Sequence, residues 1–145
     1  MRCKIYELRF WIYDLKNHPM NKEELKNRFK SYALQTAFFV LKLPHNIVNK
    51  NYADQLNRSA SSAAANYRAA LRGKSSADFI NKFKIVEEEL DETLFFFEMI
   101  EAVNPSLKES VSSIYKEGNE LLSIIVASLN TLRKKRNLEI VNPKS

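Results

Sequence analysis

Apolar residues return along this chain at steps of three and four rather than two. The first series is Leu25, Phe29, Tyr32, Ala33, Thr36, Val40 and Leu43, one face of a helix. Asn21 stands ahead of it with Glu24 three residues on, the pattern of a capping box. Pro44 ends it, because its ring disfavours helical geometry at Leu43 and carries no N–H. A second stripe, Ala53, Leu56, Ala60, Ala63, Tyr67 and Leu71, predicts a helix from about Asn49 to Arg72, closed by Gly73 in a left-handed turn. Residues 59–65 are Ser and Ala alone, which lets a neighbouring backbone come close. Ser75 or Ser76 caps a third helix with the stripe Phe79, Phe83, Val86, Leu90, Leu94 and Phe97. Asn104 and Pro105 open a fourth, whose stripe Leu107, Val111, Ile114, Gly118, Leu121, Ile125, Leu129 and Leu132 approaches a heptad. Glycine at 118 costs about 1 kcal/mol against alanine on helix propensity, so its place in the stripe predicts a close helix approach.

Short connections make successive helices antiparallel neighbours. The predicted fold is all-α, an up-down-up-down antiparallel four-helix bundle over residues 21–137. Residues 1–20 form an N-terminal extension in which Ile5, Leu8, Ile12 and Leu15 suggest a short helix ended by Pro19, and Met20 is an alternative start to Met1. Residues 138–145 read as a flexible tail.

Composition agrees with helix over sheet: 145 residues hold two glycines and four prolines, and no stretch alternates with hairpin signals. The size suits one domain with a core of its own. The one cysteine, Cys3, excludes an intrachain disulfide and a multi-thiolate zinc site. Residues 1–19 mix charges among their apolar residues and so lack a signal-peptide core. The longest apolar run, Leu121 to Leu129, is far short of the ~20 residues a membrane span requires. The expected location is cytoplasmic.

Catalytic signatures are missing. His18 and His45 fall in separate loops without a Glu-x-x-His spacing, and no phosphate-binding glycine loop or Ser–His–acid set is present. The expectation is a protein without enzyme activity, metal or cofactor.

Charge is uneven. The formal net charge is +6, yet residues 74–103 hold three basic and eight acidic side chains. Within the acidic run Glu87, Glu88, Glu89, Asp91 and Glu92, most positions suit a solvated face, but Glu87 borders the apolar stripe. A carboxylate there calls for a cation, and Arg58, Arg68 or Arg72 of the second helix could supply it. The back half of the third helix is apolar on several sides: Phe95, Phe96, Met99, Ile100 and Val103 lie outside the core stripe. Residues 1–19 could cover them; burial against another subunit is the favoured expectation.

In an up-down-up-down bundle the start of helix one, the end of helix two, the start of helix three and the end of helix four share a pole. That pole would gather Lys22, Lys26, Arg28, Lys30, Arg68, Arg72, Lys74, Lys82, Lys84, Arg133, Lys134, Lys135 and Arg136, opposed by Glu23, Glu24 and Asp78. Cations at 133–136 would also stabilise a helix C-terminus, but that does not account for the other three segments. Such density attracts phosphate backbones, and without stacking aromatics or a groove-reading motif it would do so with little sequence preference.

The segment from Asn66 to Ile100, with Ser61-Ser62-Ala63-Ala64-Ala65-Asn66-Tyr67-Arg68-Ala69 overlapping its start, then Ser75 to Phe79, then Glu87-Glu88-Glu89 leading to Asp91-Glu92-Thr93, resembles the four-helix-bundle proteins encoded in 23S ribosomal RNA intervening sequences. The resemblance extends more weakly over Ala37–Pro44 and the fourth helix, about residues 21–130 in all. Where that family commonly has Tyr-Trp-Leu, this chain has Phe95-Phe96-Phe97. Such proteins are similar to an accessory subunit of diversity-generating retroelements, which works with a reverse transcriptase and nucleic acid. The resemblance implies a homopentameric ring, no established catalysis and an association with RNA. The expected function is a homo-oligomeric bundle binding RNA or RNA/DNA through its basic pole. The alternative is a protein-interaction scaffold, or an accessory subunit of a nucleic-acid enzyme such as a reverse transcriptase, without nucleic-acid contact.

Overall fold

Asn21 caps the first helix as its spacing predicts. Its side chain accepts from the Glu24 amide at 2.8 Å, and the Glu24 carboxylate accepts from the Asn21 amide at 3.3 Å. The structure is a computed structural model and describes residues 20–143. From the capping box α1 runs Lys22–Leu41. Asn46 caps α2, Ile47–Ala70, by accepting from the Asn49 amide. Ser75 caps α3, Ser76–Val103, by accepting from Asp78. A single 3-10 turn, Pro105–Leu107, leads into α4, Lys108–Val141. The described residues form an all-α, four-helix bundle without strands. Among them, no helix is long and apolar enough to cross a membrane.

Several helix boundaries differ from the sequence reading, three of them for an identifiable local reason. The second helix stops at Ala70, and Gly73 does not adopt the left-handed conformation expected of it. Its amide bonds the Ala70 carbonyl at 3.0 Å, and a Cβ on it would stand 3.1 Å from that oxygen, so the glycine serves a tight turn. Asn104 makes no side-chain cap for the turn that leads into α4. It instead turns back to the Ile100 carbonyl and exchanges two amide bonds with buried Asn49, at 2.8 and 3.0 Å. The fourth helix continues to Val141, past the expected boundary at 137, with Leu138, Ile140 and Val141 exposed.

The core follows the predicted stripes. Leu25, Phe29, Tyr32, Leu56, Ala60, Ala63, Tyr67, Phe83, Leu90, Phe97, Leu121 and Ile125 are at most 1% exposed. Phe29 stacks on Tyr67, and Phe39 meets Phe97 across the core. The Ser and Ala face of α2 allows the close approach expected of it: Ser59 and Thr93 are buried with their hydroxyls 2.8 Å apart, and α2–α3 is the most extensive of the helix pairings. Gly118 also explains itself. A Cβ there would lie 2.8 Å from Tyr32 Cζ and 3.0 Å from Leu94 Cδ2, so its missing side chain is the space that the Tyr32 ring occupies.

Candidate nucleic-acid interface and assembly surfaces

The candidate basic residues sit at helix ends because that is where the core stripes stop. Tyr67 donates its hydroxyl to the Lys22 carbonyl at 3.0 Å, which holds the last turn of α2 against the first turn of α1. Burial pushes the Tyr67 phenol well above its ordinary pKa, with Glu23 adding to the shift. Beside that tie Arg68 and Arg72 are exposed, and Lys74 lies in the exposed turn before α3. On α4, Arg133, Lys134 and Arg136 are exposed and Lys135 is half-buried. Lys22 is half-buried, and Lys26 pairs with Glu23 at 3.6 Å.

The ion pairs divide the arginines into two groups. Arg28 is held by both oxygens of Glu117, each at 2.9 Å, with Glu120 at 3.3 Å. The Glu117 bond, opposed by desolvation and aided by both carboxylates, raises its pKa further. Arg28 is therefore neutralised by α4, which sequence spacing did not reveal. Arg58 bonds Glu92 and lies 3.3 Å from Glu89, and the Glu92 bond leads the upward shift of its pKa. Arg68, Arg72, Lys74, Arg133, Lys134 and Arg136 form no ion pair among the described residues.

This corrects the pairing expected of Glu87. A helix-two arginine does meet helix-three carboxylates, but Arg58 takes Glu89 and Glu92, while Glu87 pairs with neither Arg58 nor Arg68. Positions 89 and 92 are one helical turn apart, so one guanidinium can bridge both.

The apolar back half of α3 separates into two groups. Ile100 is fully buried in the chain's own core, which corrects its assignment to an assembly surface; it falls three residues after Phe97 and shares its face. Phe96 is half-buried, with its ring beside Tyr52, and Met99 is half-buried too. Phe95 and Val103 are 51% and 45% exposed. Whether residues 1–19 cover this face is a question outside the described residues. The structure adds a second apolar surface that the stripe reading passed over: Leu34, Phe38 and Leu41 on α1 are 48%, 60% and 76% exposed. Their spacing of four and three was the available signal. Beside Phe38 a hollow of about 610 Å³ opens between α1 and the start of α4, lined by Gln35, Lys42, Leu107, Ser110 and Ile114.

No group of His, Cys, Asp or Glu side chains among the described residues is arranged to hold a metal ion. The buried Tyr32 hydroxyl has no hydrogen-bond partner among the described residues, and desolvation raises its pKa strongly.

A family model described as 23S rRNA-intervening sequence protein matches residues 23–127. Among solved structures, the chain is similar to a protein with unknown function from the S23 ribosomal protein family of Bacteroides thetaiotaomicron VPI-5482, solved at 1.70 Å. The TM-score is 0.67 at 25% identity, covering 77% of this chain and 99% of that one. No curated protein matches.

Proposed function

This chain belongs to the 23S rRNA-intervening sequence protein family, and from that premise we propose that it is a non-catalytic, self-assembling up-down-up-down bundle that binds nucleic acid. It holds RNA or RNA/DNA by the phosphate backbone with little sequence preference, through the residues at one pole. The observation that carries this reading is the division of arginines: Arg28 and Arg58 are spent on carboxylates, whereas Arg68, Arg72, Arg133 and Arg136 near helix ends form no ion pair among the described residues. Register supports a shared pole. Tyr115 bonds Glu98 and Gly118 faces Leu94, so equal steps along antiparallel α3 and α4 bring residues 133–136 level with the first turn of α3. Repetition of the patch in a homopentameric ring would turn weak phosphate contacts into useful affinity.

The test is fluorescence anisotropy with a labelled single-stranded RNA over a salt series. Replacing Arg133, Lys134, Lys135 and Arg136 with glutamine should weaken binding and flatten the log–log salt slope by about 0.7 for each phosphate no longer neutralised. Replacing Lys108 and Lys116, on the other half of α4, should do much less. Equal losses from both sets would mean diffuse charge attraction. Absence of binding by the native protein at low salt would refute the reading and favour a protein-interaction scaffold, for which the exposed apolar surfaces are the supporting observation.

A further inference from the structure

Two exposed apolar stripes occur on this bundle, and their surroundings differ in sign. On α1 the stripe is Leu34, Phe38 and Leu41; on α3 it is Phe95 and Val103, with half-buried Met99 between them. Residues 25–53 carry five basic side chains and no acidic one, while residues 85–107 carry seven acidic side chains and no basic one. Within those runs, Arg28 is occupied by Glu117 and Glu120, and Glu89 and Glu92 are occupied by Arg58. Lys30 and Lys42 then border the α1 stripe. Glu88, Asp91, Glu98 and Glu101 border the α3 stripe, with Glu98 also accepting from the Tyr115 hydroxyl.

Both stripes stand at one level of the bundle. The rings of Phe39 and Phe97 meet in the core with centroids 5.5 Å apart, Phe38 and Leu41 flank the first, and Phe95 and Met99 flank the second. Counting nine residues back from each ring reaches Lys30 on α1 and Glu88 on α3. The helices α1 and α3 each pack against both α2 and α4, so their outer faces point away from one another across the core. One chain cannot bring its own two stripes together.

We infer that the two stripes are the two halves of one heterologous contact, in which the α1 face of one copy receives the α3 face of the next. The occupant of the α1 surface is a second copy of this chain. Phe95 of that copy enters beside Phe38, at the hollow between α1 and α4, while Lys30 and Lys42 meet the anions bordering the incoming stripe. A face that meets a different face must repeat from copy to copy. Because both faces lie at one level, each copy joins the next without a shift along the helices, as the ring proposed above requires. This rests on the self-assembly proposed above and specifies which surfaces perform it.

The experiment uses native mass spectrometry on full-length chains, with helicity measured alongside. The native protein should assemble, and Phe38→Asp and Phe95→Asp should each be monomeric with unchanged helicity, since either removes half of every contact. Mixed in equal amounts, the two variants should form a heterodimer and stop there, because each retains the face that the other lacks. Should either aspartate variant misfold, Lys30→Glu tests the same contact with a surface charge. It should raise the dissociation constant several-fold, and adding Glu88→Lys in the same chain should restore it. A native protein that stays monomeric refutes self-assembly and this contact with it. A native oligomer whose aspartate variants remain assembled, or remain monomeric on mixing, refutes the contact and leaves self-assembly standing.

Discussion

Gly118→Ala places two opposed effects in one position. On helix propensity alone the change should stabilise by about 1 kcal/mol, since glycine within a helix is disfavoured by that amount. The surroundings reverse the sign. The added carbon would stand 2.8 Å from Tyr32 Cζ and 3.0 Å from Leu94 Cδ2, with the Tyr32 hydroxyl closer still. Ordinary carbon contacts begin near 3.5 Å, so the ring would have to withdraw by about 0.7 Å. Tyr32 is 1% exposed in the packed core and has no room to swing. Overpacking of this kind costs about 1–3 kcal/mol, and the overlap with both ring carbon and hydroxyl places it in the upper part of that range. The expected net loss is about 1–2 kcal/mol. Urea unfolding followed by far-ultraviolet circular dichroism at fixed protein concentration measures it. Tyr32→Phe supplies the internal control: it deletes a hydroxyl without a bonding partner among the described residues, for an expected gain of about 1 kcal/mol, and removes the atom nearest the new methyl. The double variant should therefore lose less than the two single effects sum to. A Gly118→Ala protein more stable than the native one would refute the packing argument, and strict additivity in the double variant would refute the role of the hydroxyl.

Three further outcomes are expected from the polar contacts. Asn49→Ala and Asn104→Ala should each cost about 1–3 kcal/mol by orphaning the opposite amide, and the double variant should cost less than their sum in the same unfolding assay. Arg28→Ala should destabilise more than Arg58→Ala: both arginines hold two part-buried carboxylates, but the Arg28 side chain is 24% exposed against 48% for Arg58, whose pairs contribute below about 1 kcal/mol. Stability should fall as pH rises beyond about 10, the ordinary tyrosine value: the buried Tyr32 and Tyr67 phenols have raised folded-state pKa values, so the unfolded chain ionises first and is favoured. Tyr32→Phe should flatten that alkaline decline, read from urea midpoints across the pH series.

The fold is legible wherever burial has a period. Phe79, Phe83, Val86, Leu90, Leu94 and Phe97 can be read directly as the face of α3, and all are buried. The caps Asn21 and Ser75 are legible because their partners lie three residues away in sequence. The features that escape depend on neighbours distant in sequence. Nothing local distinguishes Glu87 from Glu89 as the partner of Arg58, since the rotation of α2 against α3 decides it. Asn104 carries the signature of a cap, and its bond to Asn49 is set by where two helix ends meet. Arg28 has the sequence position of a basic-pole residue, yet Glu117, a long way along the chain, holds it. Among the candidate assembly residues, Phe95 and Val103 are exposed as expected, but Ile100 sits one turn after Phe97 and turns inward with it.

The four neighbouring helix pairings are unequal, and that inequality bears on motion. Ser59 and Thr93 join α2 to α3 where their backbones approach closely, and the amides of Asn49 and Asn104 fasten one end of the same pair. The contact of α1 with α4 is the slightest of the four, and the hollow beside Phe38 opens along it. Arg28, gripping Glu117 and Glu120, acts as the clasp on that side. Thermal opening is therefore expected to begin along the α1–α4 seam, with the α2–α3 pair as its fixed spine. Amide hydrogens of α1 should exchange with solvent sooner than those in the middle of α2 and α3, and loss of the clasp should shorten that interval further.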